Sequence, residues 1–370
     1  MAPESDIAVF AILGYDPRQE HPGRGVLEAL GAGMPFEDGA LAYRVNFATR
    51  EGEEIVDRRV GRDLPSDDAQ ALAAEVNDRL ILPGAKAALR ATVEHRGALV
   101  IRSTEGPLSA NVTNTDPAYS KQGSLGVALE RFENRVAPAE PLDGTEEARR
   151  AADLTNSFVE QAAGILEASP VNARRRSEGR LPANLLLTRD GGDHVPRVTP
   201  IKERFGPEWG CFVEMPVERG IAMALGMAPV DAPTGMPRPE QYAAWAGLAA
   251  EALDGYDALY IHIKGPDIPA HDGRFEEKRA VIEDIDAAFF AELLPIIGGR
   301  RVLMAVTADH STSCLRKAHT ADPVPLVVAG PGVGSDATTA FGERAAASGA
   351  LGTLMGVEIV PQLVELMRSG

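Results

Sequence analysis

Ala258-Leu259-Tyr260-Ile261-His262-Ile263 and Arg301-Val302-Leu303-Met304-Ala305-Val306-Thr307 are two short apolar runs with the character of buried strands. Between them, Lys278 to Leu294 carries Ala280, Ile282, Ile285, Ala288, Phe289 and Leu293 at helical spacing, so the three segments read as one β-α-β unit. A third run, Val324 to Ala329, ends at Gly330-Pro331-Gly332. The region after residue 190 therefore predicts an α/β sheet with mostly parallel strands. Reactive groups in such sheets gather at the carboxyl ends of strands, and Lys264 to His271 and Ala308 to Thr312 follow directly on two of them.

Working outward, residues 47–189 read differently. They contain their own apolar run, Gly97 to Ile101, an amphipathic stretch Leu64 to Leu82 and a long helical pattern Glu146 to Ala168, punctuated by Pro- and Gly-containing segments at 137–144 and 169–182. The expected organisation is a core of residues 1–46 and 190–370 with residues 47–189 inserted as an α+β lid domain.

Charge narrows the function. The 370 residues carry 37 basic and 54 acidic side chains, a net charge of −17, which repels phosphate backbones and argues against nucleic acid as a partner. An acidic chain that binds a small anion must gather arginines locally. Arg58, Arg59 and Arg62 form one such group and His95-Arg96 a second within the insert. Cys211 and Cys314 are the only cysteines, too few for a disulfide framework and read as small core residues of a chain from a reducing, cytoplasmic setting. No apolar run approaches the length of a membrane span and no signal peptide is visible, so no membrane partner is expected.

His262, His271, His310 and His319 fall within 58 residues, with acids at Asp267-Ile268-Pro269-Ala270-His271 and Asp309-His310. Clustered Asp and His at strand ends is how oxygen and imidazole ligands converge on divalent metals. The motifs His262-Ile263-Lys264-Gly265-Pro266-Asp267 through His271-Asp272-Gly273 and Thr307-Ala308-Asp309-His310-Ser311-Thr312 resemble the archaeal-type, cofactor-independent (2,3-bisphosphoglycerate-independent) phosphoglycerate mutases of the alkaline phosphatase superfamily. The likeness continues at Leu315 to Pro325, at Gly349-Ala350-Leu351-Gly352, at Leu13-Gly14-Tyr15-Asp16-Pro17, at Tyr43 to Thr49 and at Asn114-Thr115-Asp116-Pro117. It covers nearly the whole chain in order.

That resemblance implies an alkaline-phosphatase-like α/β core with two divalent ions, Mn²⁺ or otherwise Mg²⁺, Co²⁺ or Zn²⁺. Asp267, His271 and His319 would hold one ion; Asp309, His310 and Ser5 the other. Ser5, which on its own reads as a helix cap, would become a phosphoserine, giving isomerisation of 3-phosphoglycerate to 2-phosphoglycerate. Arg59, Arg62, His95 and Arg96 are the candidates for holding this small phosphorylated acid, with Arg204 as a further one. Three features depart from the family pattern. The opening strand that ends in Asp-Gly, with an aspartate ligand for the serine's ion, is expected to be missing ahead of Ser5, which would leave unpaired sheet edges and a weakly held second ion; Glu4 replaces a glycine, and Val9 replaces His or Asn. These departures keep open a diverged phosphoryl or phosphonyl transferase, a phosphatase, or a non-catalytic relative.

Overall fold

The computed structural model describes residues 3–369 apart from 124 and 130. The chain forms two compact units: an inserted unit, His21–Arg197, and a terminal unit of Met1–Glu20 with Val198–Gly370. The first crossing thus lies 26 residues earlier than the 46/47 boundary expected, and the second at 197/198 instead of 189/190. The reason is packing. The Arg24–Gly31 helix sets Val26 and Ala29 against Ala42, Ala98 and Val100, and so belongs to the inserted sheet. Gly25 permits that approach, because a Cβ there would run into the Ala42 carbonyl.

In the inserted unit, β1 (Leu41–Glu51) is the hub. It turns tightly into β2 (Glu54–Asp57); β3 (Ala85–Ala91) and β4 (Arg96–Ser103) form a second hairpin that pairs with β1 through β4. A small hairpin, β5 (Tyr119–Gln122) with β6 (Leu125–Ala128), precedes β7 (Leu185–Gly192), which covers the other edge of β1. All pairings are antiparallel. Period-two alternation sends Leu41, Tyr43, Val45 and Phe47 into one core with the Ser66–Arg79 and Glu146–Glu167 helices, while Arg44 and Asn46 face the other side. The long helix starts where Thr145 Oγ1 accepts from Ala148 N, with Glu146 and Glu147 against the positive helix end. Its fully buried Phe158 contributes about 1.5–3 kcal/mol of transfer free energy.

In the terminal unit, β8 (Trp209–Val213) pairs in parallel with β9 (Ala228–Pro229) and β10 (Ala258–His262). The Arg238–Ala252 helix anchors Trp245 edge-on to Phe212, with its indole N–H donating to the Pro233 carbonyl at 2.7 Å. The expected helix between the two strands is present, as Phe275–Asp284, a π turn Ile285–Phe290 and Ala291–Ile297 in succession. The strands after it are shorter than their apolar runs. β11 (Met304–Val306) pairs with β14 (Val327–Ala329), and β12 (Ser311–Ser313) with β13 (Ala318–Thr320), both antiparallel. Parallel pairing therefore holds for only part of this unit. A cavity of about 1350 Å³, lined by Val9, Leu13, Ile261, Met304, Val306 and Val360 among others, separates β10 from β11. Among the described residues no ladder joins those two strands, which is why β11 pairs with β14 alone.

Candidate active site

Ser5 is the first residue of the Ser5–Ile12 helix; Glu4 takes the cap position, and no side-chain cap bond is made. The cap reading of Ser5 is thereby corrected. Its buried hydroxyl turns toward the strand ends, where Lys264 Nζ donates to Oγ at 2.9 Å and His310 Nε2 lies 3.0 Å away. The amino end of the helix favours negative charge developing at this oxygen. Lys264 also reaches Asp267 Oδ2 at 3.2 Å. Burial works against the Lys264 ammonium, but Asp267, Glu218 and Asp309 outweigh it and hold its pKa above the ordinary lysine value.

Three imidazoles surround the serine, and geometry fixes their tautomers. His271 Nδ1 lies 3.2 Å from the Lys317 carbonyl and His319 Nδ1 3.0 Å from the Pro3 carbonyl; carbonyls only accept, so each Nδ1 carries the proton. His310 Nδ1 lies 3.1 Å from Thr312 Oγ1, whose own hydrogen goes to Asp267 Oδ1 at 2.7 Å, so this Nδ1 donates too. In the neutral rings each of the three Nε2 atoms carries a lone pair. Those of His271 and His319 stand 3.1 Å apart, with Asp267 Oδ1 3.4 and 3.8 Å from them. Lone pairs and a carboxylate at such distances repel unless a cation lies among them.

The ligand atoms of Asp267, His310 and His319 all fall within 4.8 Å of one another. Asp309 Oδ2 is buried without a hydrogen-bond partner, 3.2 Å from His310 Nε2. This mixed nitrogen and oxygen set fits Mn²⁺, Co²⁺ or Zn²⁺. Burial pushes His310 down to about 4 and so keeps it neutral, as a ligand must be. Burial alone would raise Asp267, but Lys264, His271 and the Thr312 hydroxyl hold it well below the carboxylate range. All six residues divided between two ions on sequence thus meet in one continuous cluster.

His262 stands apart from that cluster. Its Nδ1 lies 2.8 Å from the Tyr260 hydroxyl and its Nε2 3.7 Å from Glu218, a fully buried acid whose two carboxylate oxygens have no hydrogen-bond partner. Sequence reading assigned no role to Lys264 or Glu218. Lys264 could have been found from its place at a strand end, three residues before Asp267; Glu218, on the amphipathic Pro216–Ala224 helix, offered no signal. Cys211 is buried on β8, whereas Cys314 is only half-buried, so the core reading fails for the second cysteine.

The inserted unit holds a second polar cluster. Arg59, Arg62, His95 and Arg96 come together there as expected, and Arg24, Arg44 and Arg189 join them. Burial and then Arg96, Arg59 and Arg44 push His95 down to about 2, so it is neutral at every physiological pH. Burial also lowers Arg59 and Arg96. Arg58 is not spare: it grips Asp116 bidentately at 2.9 and 2.7 Å. Arg204 lies in the terminal unit, where Nη1 donates to Glu20 at 2.8 Å and the guanidinium covers the Tyr15 ring at 4.4 Å.

Backbone strain marks the same places. Among the described residues, the non-glycine residues with positive φ are Val60 (53°), Arg62 (57°), Glu94 (53°), Asp190 (57°) and Lys317 (54°). Four of them adjoin or belong to the arginine cluster, and the fifth accepts from His271 through its carbonyl. Left-handed backbone costs such residues about 1–2 kcal/mol each, and it concentrates where side chains must be aimed.

Comparison with known proteins identifies the family. Residues 1–172 match the family model described as 2,3-bisphosphoglycerate-independent phosphoglycerate mutase, and residues 223–365 match that of the metalloenzyme superfamily. The mutase of that name from Aeropyrum pernix is 42% identical over 99% of this chain and 88% of its own length. The one from Methanocaldococcus jannaschii is 36% identical over 98% and 85%. Among solved structures, a Pyrococcus horikoshii protein superposes with a TM-score of 0.77 at 29% identity, covering 100% of this chain and 84% of its own. The cofactor-independent phosphoglycerate mutase of Thermoplasma acidophilum gives 0.60 at 32% identity, covering 99% and 87%. With that identity sustained along essentially its full length, the chain belongs to the 2,3-bisphosphoglycerate-independent phosphoglycerate mutase family.

Proposed function

We propose that this chain is a metal-dependent phosphotransferase that interconverts 3-phosphoglycerate and 2-phosphoglycerate through a phosphoserine at Ser5. The observation that carries this reading is the Ser5 hydroxyl itself, held between the Lys264 ammonium and the lone pair of His310 Nε2 beside two further unprotonated imidazole nitrogens. Asp267, His271 and His319 would hold one ion and Asp309, His310 and Ser5 the other. Bound there, divalent ions supply charge neutralisation for phosphoryl oxygens and lower the pKa of the serine hydroxyl.

The remaining work falls to the chain's own groups. Ser5 Oγ attacks phosphorus in line, its O–P bond forming as the bond to the glycerate oxygen breaks. With Nδ1 protonated and Nε2 given to the ion, His310 has no lone pair for the hydroxyl proton; the Asp309 carboxylate, hydrogen-bonded to Ser5, stands where that proton leaves, and Lys264 donates to the phosphoryl oxygens and to the Ser5 oxygen when the transfer reverses. Returning the group to the other glycerate hydroxyl completes the isomerisation. In this reading the inserted unit acts as the lid, its arginine cluster holding the acid. Manganese is the proposed metal and glycolysis in the cytoplasm the proposed setting; among the described residues no helix is long and apolar enough to cross a membrane.

The test is product analysis with 3-phosphoglycerate and Mn²⁺, coupling 2-phosphoglycerate to enolase while measuring inorganic phosphate. The expected result is 2-phosphoglycerate without stoichiometric phosphate release, lost in Ser5→Ala. Phosphate release in place of 2-phosphoglycerate would make the protein a phosphatase instead.

A further inference from the structure

Glu218 is fully buried, and neither of its carboxylate oxygens has a hydrogen-bond partner. It is the third residue of the Pro216–Ala224 helix, from where a glutamate can turn back and accept from the N–H of the cap residue, here Met215; neither oxygen does so. Leaving a buried acid without a donor is costly, and helix capping does not account for it.

The geometry around Glu218 points toward Ser5. Leu259, Ile261 and Ile263 pack into the core around Trp245 and Phe289, so alternation sends Tyr260, His262 and Lys264 to the opposite side of the chain. Along that side, Tyr260 lies 2.8 Å from His262 Nδ1, His262 Nε2 lies 3.7 Å from Glu218 Oε1, and Lys264 Nζ donates to Ser5 Oγ at 2.9 Å. The Tyr260 hydrogen finds an acceptor, and an N–H faces Glu218, when the hydroxyl donates to Nδ1 and His262 carries its proton on Nε2. That tautomer is the reverse of the one held by His271, His310 and His319. Glu214, one turn before Glu218, accepts from the Lys264 backbone N–H and from Gln241 Nε2. One segment therefore secures Lys264 twice, at its backbone through Glu214 and on its side-chain face through Glu218.

The acids facing the Lys264 ammonium are Asp267, Glu218 and Asp309. Asp267 and Asp309 are the two assigned to metal ions, and cations bound there would repel a neighbouring ammonium. Glu218 has no part in the metal set, so its charge stays with Lys264. We propose that Glu218 is a positioning residue: acting from behind His262 and through Lys264, it keeps the ammonium on the Ser5 oxygen when metal ions occupy the aspartates. The assignment rests on the roles given to Lys264 and Ser5 in the proposed function.

The experiment combines a double-mutant cycle with nitrogen NMR on the full chain. In turnover of 3-phosphoglycerate with Mn²⁺, Glu218→Gln should lower kcat about tenfold to a hundredfold and leave KM within about threefold, and Glu218→Asp, which keeps the charge, should recover part of the loss. In a Lys264→Met background the same Glu218→Gln change should cost less than about threefold more, because it acts through Lys264. Losses that multiply in the double variant, or a parental kcat in Glu218→Gln, would overturn the proposal and leave Glu218 to structure. The NMR readout needs no turnover. With diamagnetic Zn²⁺ bound, the Lys264 ammonium, identified by its loss in Lys264→Met, should give a signal sheltered from solvent exchange that Glu218→Gln abolishes, and His262 should be protonated on Nε2. No sheltered signal in the parent, the same signal in Glu218→Gln, or a His262 protonated on Nδ1 alone would each overturn the proposal. Should Glu218→Gln not fold, Glu218→Leu takes its place in both measurements, judged by the same outcomes. A parent without mutase turnover whose Lys264 signal still depends on Glu218 would leave this assignment standing and remove the phosphoglycerate reading instead.

Discussion

The two polar clusters of this protein have opposite deficits. In the terminal unit, His271, His310 and His319 are anchored through Nδ1–H, so their Nε2 lone pairs converge with the Asp267 and Asp309 carboxylates, and the Lys264 ammonium lies 3.2 Å from Asp267. In the inserted unit, guanidinium groups converge, with Glu28 3.8 Å from Arg44 and Asp190 3.5 Å from Arg189. One cluster needs cations and the other needs anions. A cation bound by the first, and separately an anion bound by the second, should each raise the melting temperature of the empty protein.

The contrast breaks most visibly at the metal side. His319→Ala and His271→Ala each remove a lone pair from the converging set, and Mn²⁺ affinity measured by calorimetry should fall about a hundredfold or more. Unchanged stoichiometry and affinity in His271→Ala would remove this residue from the site. Metal removal should act the same way on stability. At a hundredfold excess over the dissociation constant, Mn²⁺ should add about 2.7 kcal/mol over the EDTA-treated protein, and inactive Ser5→Ala protein should retain most of that gain.

Acid titration sharpens the comparison at the next scale. His95, at about 2, and His310, at about 4, both lie below the 6.5 of an unfolded histidine. Between those values and pH 6.5 the unfolded chain binds more protons than the native one. Stability of the metal-free protein should therefore fall as pH drops through that window and be flat above it with respect to these groups. His95→Gln should flatten the slope by up to about 1.4 kcal/mol per pH unit. A slope equal to the parent's would mean that His95 is not buried neutral.

Arg204→Gln should give the smallest effect. Its guanidinium is committed to Glu20 and the Tyr15 ring, so about 1 kcal/mol of stability should go, with KM for 3-phosphoglycerate within about threefold of the parent. A large rise in KM with unchanged melting would place Arg204 among the ligand contacts after all.

How much of this was legible in the sequence follows from the range of the signals. Asp267, His271, Asp309 and His310 lie just after predicted strands, and the motif likeness extended the set to Ser5 and His319. The long Glu146–Glu167 helix is fixed by local pattern and cap. The 20/21 crossing was not legible, because β1 joins the inserted sheet through pairings with β4 and β7, and the Arg24–Gly31 helix through packing on that sheet, that no local pattern encodes. Nor was antiparallel β11·β14, since short apolar runs do not reveal their partners. Arg44 and Arg189 were hidden for a similar reason: 145 residues separate them, and each alone is an ordinary arginine in a strand.

The central claim is that Ser5 carries the phosphoryl group. Protein turning over 3-phosphoglycerate with Mn²⁺ should be quenched in acid, digested and analysed by mass spectrometry. The account predicts one phosphoryl group on the peptide containing Ser5, formed and discharged at rates compatible with turnover, and neither label nor turnover in Ser5→Ala. Parent-rate isomerisation by Ser5→Ala, or turnover in the parent with no phosphate ever on Ser5, would contradict it.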